Sequence, residues 1–361
     1  MNEEFMQIAL DCAKSVKGNV SPNPAVGAVV IKNGQVVGKG ATSPVGGNHA
    51  EINAINQAGE LCGGSDLFVS LEPCCHFGRT PPCVDAIIKS KFKQVFISCL
   101  DPNPLVAGKG VQKLRESGID VNIGLCETEA KRINEDFFWF IQNRKPFVSV
   151  KLAMTLDNKI SDVHGKSQWI TNEKSLKYAH FLRSISSAVA VGKNTLIADN
   201  PKLNVRNIEN SKNPVRIVFS SNADVGENSF FRENAKNHRS IIVLNSKEKY
   251  IEKNKDGVEI WATGESDYKN SFLSFLETAG KELIDSLLIE GGSRLVETAM
   301  DCKSVNRFYL FYAPKILGGG REGLILNNSP LSIDFPIKLN EIELQNFDGD
   351  ILISGLAKFT Q

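Results

Sequence analysis

The chain has 361 residues, 42% of them hydrophobic and 23% charged, with 42 basic residues against 41 acidic ones and a formal net charge of +1. This is enough apolar material for two domains with separate cores. A protein that grips a nucleic-acid backbone usually shows a basic surplus or stripe; none is visible, so the balanced charge weighs against nucleic acid and favours a small-molecule substrate. The opening MNEEFMQIALDCAK is acidic and lacks the apolar run of an export signal. No stretch approaches the roughly 18 consecutive apolar residues that span a bilayer. A cytoplasmic protein without a membrane partner is expected. Three of the eight cysteines crowd into Cys74, Cys75 and Cys83, which reads as metal binding or catalysis rather than disulfides.

Residues 3–17 predict a helix with Phe5, Ile8, Ala9, Cys12, Ala13 and Val16 on one side, ended by SPNPAVG. Two β-rich runs, AVGAVVI and QVVGKG, flank Lys32-Asn33-Gly34, and Asn-Gly between such runs signals a hairpin. A helix is expected after Asn48, a buried strand at DLFVSLEP, and a helix at PPCVDAIIKS with Pro81 and Pro82 near its first turn. A strand at QVFISCL, a helix at GKGVQKLRESG ended by Gly118 and a strand at IDVNIG follow. The alternation predicts an α/β layer architecture. One long helix is expected over 127–142, interrupted by Asn143-Arg144-Lys145-Pro146, because proline disfavours helix at the residue before it. The domain boundary is placed there, giving domains 1–145 and 146–361.

The second half opens with FVSVKLAMTLDNKI and continues with a helix around 173–186 and a strand SAVAVG. Further strands are expected at VRIVFS, SIIVLN, VEIWA, SLLIEGG, RFYLFYAP and ILISGLAKF. The segments 221–239 and 246–257 are polar and read as loops.

The informative residues are His49-Ala50-Glu51 and the run from Glu72 to Cys83, EPCCHFGRTPPC. Zinc takes imidazole and thiolate ligands in a tetrahedron, and a catalytic site leaves one of the four positions to water. His49, Cys74 and Cys83 supply three ligands. Zinc lowers the pKa of the water, and Glu51 carries its proton to the ring nitrogen and the departing amine. This is the pattern of the zinc deaminases, H-x-E followed by P-C-x-x-C, except that eight residues separate Cys74 from Cys83. Cys75 competes for the ligand role, but adjacent residues of one element do not point the same way. Cys83 lies near a helix start, where a thiolate is favoured. The competing reading is a closed structural site with His76 as fourth ligand; such sites use short paired spacings and give Glu51 no role.

At this point the sequence resembles the bifunctional riboflavin-biosynthesis deaminase/reductase family. The first half carries PNPAVGAVV, HAE, LEPCCHFGRTPPC and DPNPLVAGKG; the second carries KPFVSVKLAMTLD, SQWIT, LRSISSAVAVGKNTL, ADNPKLNVR, LLIEGG and YAPKILGGG. The resemblance implies a cytidine-deaminase-like three-layer domain with Zn2+ at His49, Cys74 and Cys83 and Glu51 as proton shuttle. It implies a pyrimidine ribotide as substrate, with Asn23, His76, Arg79 and Asn103 near it. Asn23 and Asn103 both sit in Pro-Asn-Pro turns, which alone explain them. The family's histidine near position 42 is Thr42 here, which puts a substrate contact in doubt.

In the second half no G-x-G-x-x-G follows a strand, so a dinucleotide site of that type is not supported. Glu290-Gly291-Gly292 between strand and helix suits phosphate at a helix N-terminus, or simply ends the strand. The resemblance implies a dihydrofolate-reductase-like α/β domain using NADPH. NADPH positions match Ala153, Trp169, Thr195, Asp199 and Gly292; substrate positions match Ser167, Arg183, Leu203, Arg206 and Glu290. Arg183 and Arg206 suit phosphate, though a surface arginine is the commoner fate, and Trp169 could equally be core. Lys151 on the first reductase strand receives no chemical step. Thr155-Leu156-Asp157-Asn158 and Asp199-Asn200-Pro201 depart from the family's SLDG and DDP; Asn158 is expected to affect a turn. His164, His180 and His238 stand alone and read as non-catalytic.

The leading reading is therefore one chain that deaminates a diaminopyrimidine ribotide and then reduces its ribosyl group. The alternatives are one active half with the other a scaffold, a nucleic-acid base deaminase with an unrelated domain, and a non-enzymatic zinc module. A homo-oligomer through the reductase domain is expected, with the apolar RFYLFYAP strand as the interface.

Overall fold

The computed structural model describes residues 1–359 except 79–80, 227–228 and 325–330. It divides into two compact units, Met1–Arg144 and Lys145–Gln361. Arg144 closes the first in a left-handed conformation at φ 55°.

The first unit runs α1 (Asn2–Val16), β1 (Gly27–Lys32), β2 (Gln35–Ala41), α2 (Ala50–Ala58), β3 (Asp66–Val69), α3 (Cys83–Lys89), β4 (Gln94–Ile97), α4 (Lys109–Glu116), β5 (Asp120–Ile123), α5 (Glu127–Ile133) and α6 (Glu135–Asn143). Its sheet has the order β2-β1-β3-β4-β5. The hairpin turns on Asn33 and Gly34, both with φ above zero, as a two-residue turn matched to strand twist requires. Two glycines set the layers. A Cβ on Gly27 would lie 1.9 Å from the Ala9 carbonyl of α1, and one on Gly40 would lie 2.1 Å from the Ala50 carbonyl of α2. Gly40 pairs with Ala28, the neighbour of Gly27, and successive strand residues face opposite ways. The helices α1 and α2 therefore cover opposite faces of the sheet. Met6, Ala9, Leu10 and Ala13 of α1 are buried there, the helical spacing of one inward stripe.

The expected single helix over 127–142 is two helices. Asn134 breaks it at φ −113° and ψ 22°. Its buried side-chain amide accepts from the Ala25 N–H at 2.8 Å and donates to the Ala25 carbonyl at 2.9 Å. That pairing satisfies both polar groups of Ala25 and takes the chain out of helical register.

The second unit runs β6 (Phe147–Thr155), β7 (Lys159–Ser161), α7 (Glu173–Ser184), β8 (Ala188–Gly192), α8 (Lys193–Asp199), β9 (Val215–Ser220), α9 (Phe230–Glu233), β10 (Ser240–Leu244), β11 (Lys249–Lys253), β12 (Glu259–Thr263), α10 (Tyr268–Lys281), β13 (Ser286–Gly291), α11 (Ser293–Asp301), β14 (Arg307–Ala313), β15 (Arg321–Glu322), β16 (Ile337–Phe347) and β17 (Asp350–Phe359). Ten strands form one sheet in the order β11-β12-β10-β9-β8-β13-β6-β14-β17-β16. Its interior from β12 to β14 is parallel, and β11, β17 and β16 add antiparallel edges. Parallel strands are covered on both faces, which is why AVAV, SIIVL and SLLI are almost wholly apolar.

Three expectations need correction here. The loop read over 246–257 contains β11, an edge strand exposed along its whole length; KYIEK has no apolar alternation because an edge strand faces water and is charged to deter further pairing. The loop read over 221–239 contains the single turn α9, anchored by buried Phe231. The apolar RFYLFYAP strand, expected at a subunit interface, is interior. β14 lies between β6 and β17 with Phe308, Tyr309, Leu310 and Phe311 buried, so its apolar surface is used within the chain.

Candidate active site

Three elements bring the first cluster together. His49 is the N-cap of α2 and Cys83 opens α3 behind Pro82. Cys74 lies in the loop leaving β3, where its sulfur accepts the Cys83 N–H at 3.3 Å. The Nδ1 of His49 lies 3.5 Å from Sγ of Cys74 and 3.2 Å from Sγ of Cys83, and the three ligand atoms all lie within 4.8 Å of one another. Zn–S and Zn–N bonds of about 2.3 and 2.0–2.1 Å give a tetrahedral S···N edge of about 3.5 Å, so the donor set fits zinc in kind and in spacing.

Among the described residues this metal-capable group has three members. His76 is not one of them, so the closed four-ligand reading fails on placement. Its Nδ1 is buried and has no hydrogen-bond partner among the described residues. The Cys75 thiol points elsewhere and donates to the Leu105 carbonyl at 3.7 Å. The Cys83 thiol, His49 and the Cys83 N–H draw the Cys74 pKa down to about 4, and the sharing raises that of Cys83. A cation between them favours both as thiolates. Glu51, in the first turn of α2, is 3% exposed. Burial first, and the charge of Cys74 second, push its carboxyl up to about 7.

Sequence reading missed what holds this site, the carboxylate of Glu72. Its Oε1 accepts the N–H groups of Gly110 and Val111 at 2.9 and 3.1 Å, and its Oε2 those of Gly108 and Asp101 at 2.9 and 3.3 Å. The loop after β4 and the start of α4 are thereby tied to the residue two before Cys74. A Cβ on Gly110 would sit 2.3 Å from the Pro73 carbonyl, so only glycine permits this approach. The available signal was a glutamate just past the buried strand β3, since such a group is buried only with partners.

Asn103 belongs to the same loop. Its side chain accepts the Leu105 N–H at 3.1 Å, and its own N–H donates to Asp101 at 2.8 Å. The turn role is thus realised. The N–H of Asn23 donates to the Val20 carbonyl at 2.9 Å, again within a turn. Thr42 is buried and exchanges hydrogen bonds with the main chain of Val26. Arg79 lies outside the described residues.

In the second unit, a cavity of about 450 Å³ opens where β8, β9 and β13 end and α8 and α11 begin. Gly192, Thr195, Ser220, Ser221, Asn245 and Gly292 line it, together with Lys193, Arg294 and Arg321 and, among the described residues, no carboxylate. Gly292 has φ 87°, and a Cβ there would meet the Gly192 nitrogen at 3.0 Å. The close backbone approach, the start of α11 and the positive lining suit the phosphates of a dinucleotide. Thr195 lies against Gly291 and Gly292. Asp199 ends α8 and accepts a hydrogen bond from the Ser167 hydroxyl at 2.9 Å. Trp169 is 65% exposed, so it is not core. Ala153 is part-buried on β6.

A second group forms on β6, α7, β13 and the loop after α8. The guanidinium of Arg183 donates to Glu290 through Nε at 2.8 Å and Nη2 at 2.7 Å. Lys151 lies near this pair, its pKa lowered by burial and partly restored by Glu290. Leu203 is buried at φ 49°. Arg206 is exposed, and burial together with Arg183 lowers its pKa. His180, isolated in sequence, sits here as well. Asn158 takes φ 61° and its main-chain carbonyl accepts the Gly323 N–H at 3.0 Å, so the departure from glycine occupies a turn that asparagine tolerates.

A family model described as the cytidine and deoxycytidylate deaminase zinc-binding region matches residues 1–99, and one described as the RibD C-terminal domain matches residues 146–353. The riboflavin biosynthesis protein RibD of Aquifex aeolicus (strain VF5) is 41% identical over 355 residues, covering 98% of this chain and 98% of that protein. The chain belongs to the RibD family. The RibD of Actinobacillus pleuropneumoniae is 39% identical over 353 residues, covering 97% of this chain and 94% of that protein. A solved structure from Thermotoga maritima, described as a diaminohydroxyphosphoribosylaminopyrimidine deaminase/5-amino-6-(5-phosphoribosylamino)uracil reductase, superposes with a TM-score of 0.86 at 36% identity, covering 99% of this chain and 98% of that one. The first unit accordingly has the cytidine-deaminase-like fold and the second the dihydrofolate-reductase-like fold. Zinc and NADPH are the cofactors of this RibD chain.

Proposed function

We propose that this chain performs two successive steps of riboflavin biosynthesis. It hydrolyses the ring amine of 2,5-diamino-6-(5-phosphoribosylamino)pyrimidin-4(3H)-one to give 5-amino-6-(5-phosphoribosylamino)uracil and ammonia. It then reduces the ribosyl group to ribityl with NADPH. The observation that carries the first step is the pairing of His49, Cys74 and Cys83 with a buried Glu51.

His49, Cys74 and Cys83 hold zinc, and Cys75 stays on its carbonyl partner. Bound zinc supplies the acidity that makes water a nucleophile near neutral pH. Glu51 takes that water's proton and returns it to the ring nitrogen and the leaving amine; it is buried in the first turn of α2, two residues after His49. Asn23, His76, Arg79 and Asn103 orient the pyrimidine ribotide. In the second unit NADPH supplies the hydride. Ala153, Trp169, Thr195, Asp199 and Gly292 position that cofactor. Ser167, Arg183, Leu203, Arg206 and Glu290 hold the substrate, and the Ser167–Asp199 hydrogen bond links the two sets. The domains of this reading are 1–145 and 146–361. Eight free cysteines suit a reducing cytoplasm. Oligomerisation runs through the second unit, where Ile342 and Leu344 of the edge strand β16 are 57% and 69% exposed.

Separate assays of the two half-reactions test this. Glu51→Gln should abolish ammonia release yet keep zinc and the reduction of supplied uracil ribotide. Ammonia release at the unaltered rate in Glu51→Gln would refute the assignment.

A further inference from the structure

The loop between α8 and β9 is pinned by four interactions along its length. Asn200 accepts the Phe230 N–H at 2.9 Å, and Leu203 is buried in the core. Val205 donates its N–H to Asn213 at 2.8 Å, and Arg206 donates its N–H to Nδ1 of His180 on α7 at 3.3 Å. Asn200, Leu203 and Asn207 all take φ above zero, so the loop turns sharply and repeatedly. Between these pins stands Asn204, which touches both arginines. Its main-chain carbonyl accepts from Nη1 of Arg183 at 3.0 Å, and its side-chain Oδ1 accepts from Nη1 of Arg206 at 2.5 Å.

We infer that Asn204 is a positioning residue of the reductase site, with His180 as its companion. Asn204 fixes the separation and aim of two guanidiniums that together hold the substrate's phosphomonoester, and His180 fixes the main chain that carries the second. This rests on the reading that Arg183 and Arg206 bind the substrate.

Electrostatics makes such a device necessary. Among the described residues, Glu290 is the one carboxylate that acts on Arg183, Arg206 and Lys151, and Arg183 engages it bidentately. Among the described residues Arg206 has no carboxylate partner, and Arg183 repels it. Left to itself, an exposed arginine turns toward water, because its long side chain gains rotamer entropy there. The neutral Oδ1 of Asn204 holds it without cancelling its charge, which an aspartate would do. The surplus positive charge is what a dianionic phosphate monoester requires. His180 must accept the Arg206 N–H, so Nδ1 is unprotonated. Burial, then Arg183 and Arg206, hold its pKa down to about 4, keeping it a neutral acceptor.

The test uses the zinc-loaded full chain, with supplied uracil ribotide and NADPH. Asn204→Ala keeps the carbonyl on Arg183 and loses the hold on Arg206. The expected result is KM for the ribotide raised about tenfold, the size of one charge-assisted hydrogen bond, with kcat within about threefold. Inhibition by inorganic phosphate should weaken in parallel, while KM for NADPH and ammonia release stay unchanged. His180→Asn, which offers an oxygen near the position of Nδ1, should retain a low KM, and His180→Leu should not. An unchanged ribotide KM in Asn204→Ala, or equal KM values in His180→Asn and His180→Leu, would overturn the inference. Arg206→Met separates the two levels. If it raises KM while Asn204→Ala does not, the positioning role alone fails. If neither moves KM, the phosphate reading of Arg206 fails with it.

Discussion

Replacing Glu72 by glutamine removes one acceptor oxygen and nothing else of size. Each carboxylate oxygen accepts two main-chain N–H groups of the loop and helix that frame the zinc cluster. In the amide, one oxygen becomes an NH2 that faces two donors. Two buried donors are then unsatisfied, at about 1–3 kcal/mol each, and the two surviving bonds lose their charge assistance. The expected loss is about 3–6 kcal/mol, carried by the first unit. Urea unfolding followed by zinc release to a chromogenic chelator reads that unit specifically. The midpoint should fall by more than 1 M at an m-value of about 1–3 kcal/mol/M. Glu116→Gln is the control: Glu116 is exposed and accepts one hydrogen bond, from Gln112 on its own helix, so it should shift stability by no more than about 0.5 kcal/mol. A Glu72→Gln midpoint equal to that of the control would refute the reasoning.

Chelation of zinc should abolish ammonia release while leaving NADPH-dependent reduction of supplied uracil ribotide intact, since the two sites lie in separate units; assaying both after dialysis against a chelator checks this. Glu290→Gln strips the buried Arg183 of its counter-charge, which costs about 3–5 kcal/mol, and should lower the unfolding midpoint of the second unit together with reductase activity while sparing ammonia release. Arg294 stacks on the Tyr268 ring at 3.4 Å in the positively lined cavity; Arg294→Leu should weaken NADPH binding several-fold, measured by quenching of protein fluorescence. Thr42→Val removes the hydroxyl that bridges the N–H and carbonyl of Val26 and should destabilise the first unit by about 1–2 kcal/mol without changing zinc content.

The parts legible in the sequence were those whose cause is local. Asn33-Gly34 announced its hairpin because two adjacent residues must both take φ above zero. The zinc cluster was legible because imidazole and thiolate at those positions serve little else. Elements set by remote partners were hidden. The break at Asn134 depends on Ala25, far away in sequence, and β11 exists only because β12 offers it an edge. The apolar β14 looked like an interface because sequence does not say which strands become central. Glu72 acts on main-chain N–H groups of another segment and Asn204 on the guanidiniums of Arg183 and Arg206, and His180 is informative only once Arg206 lies beside it.

The central claim is that one chain carries two ordered activities. Purified zinc-loaded protein is given the diaminopyrimidine ribotide, first without and then with NADPH. Ammonia is expected at the first stage and NADPH oxidation at the second, stoichiometric with the ammonia released. Absence of ammonia with zinc bound would contradict it, as would NADPH oxidation that does not depend on prior deamination.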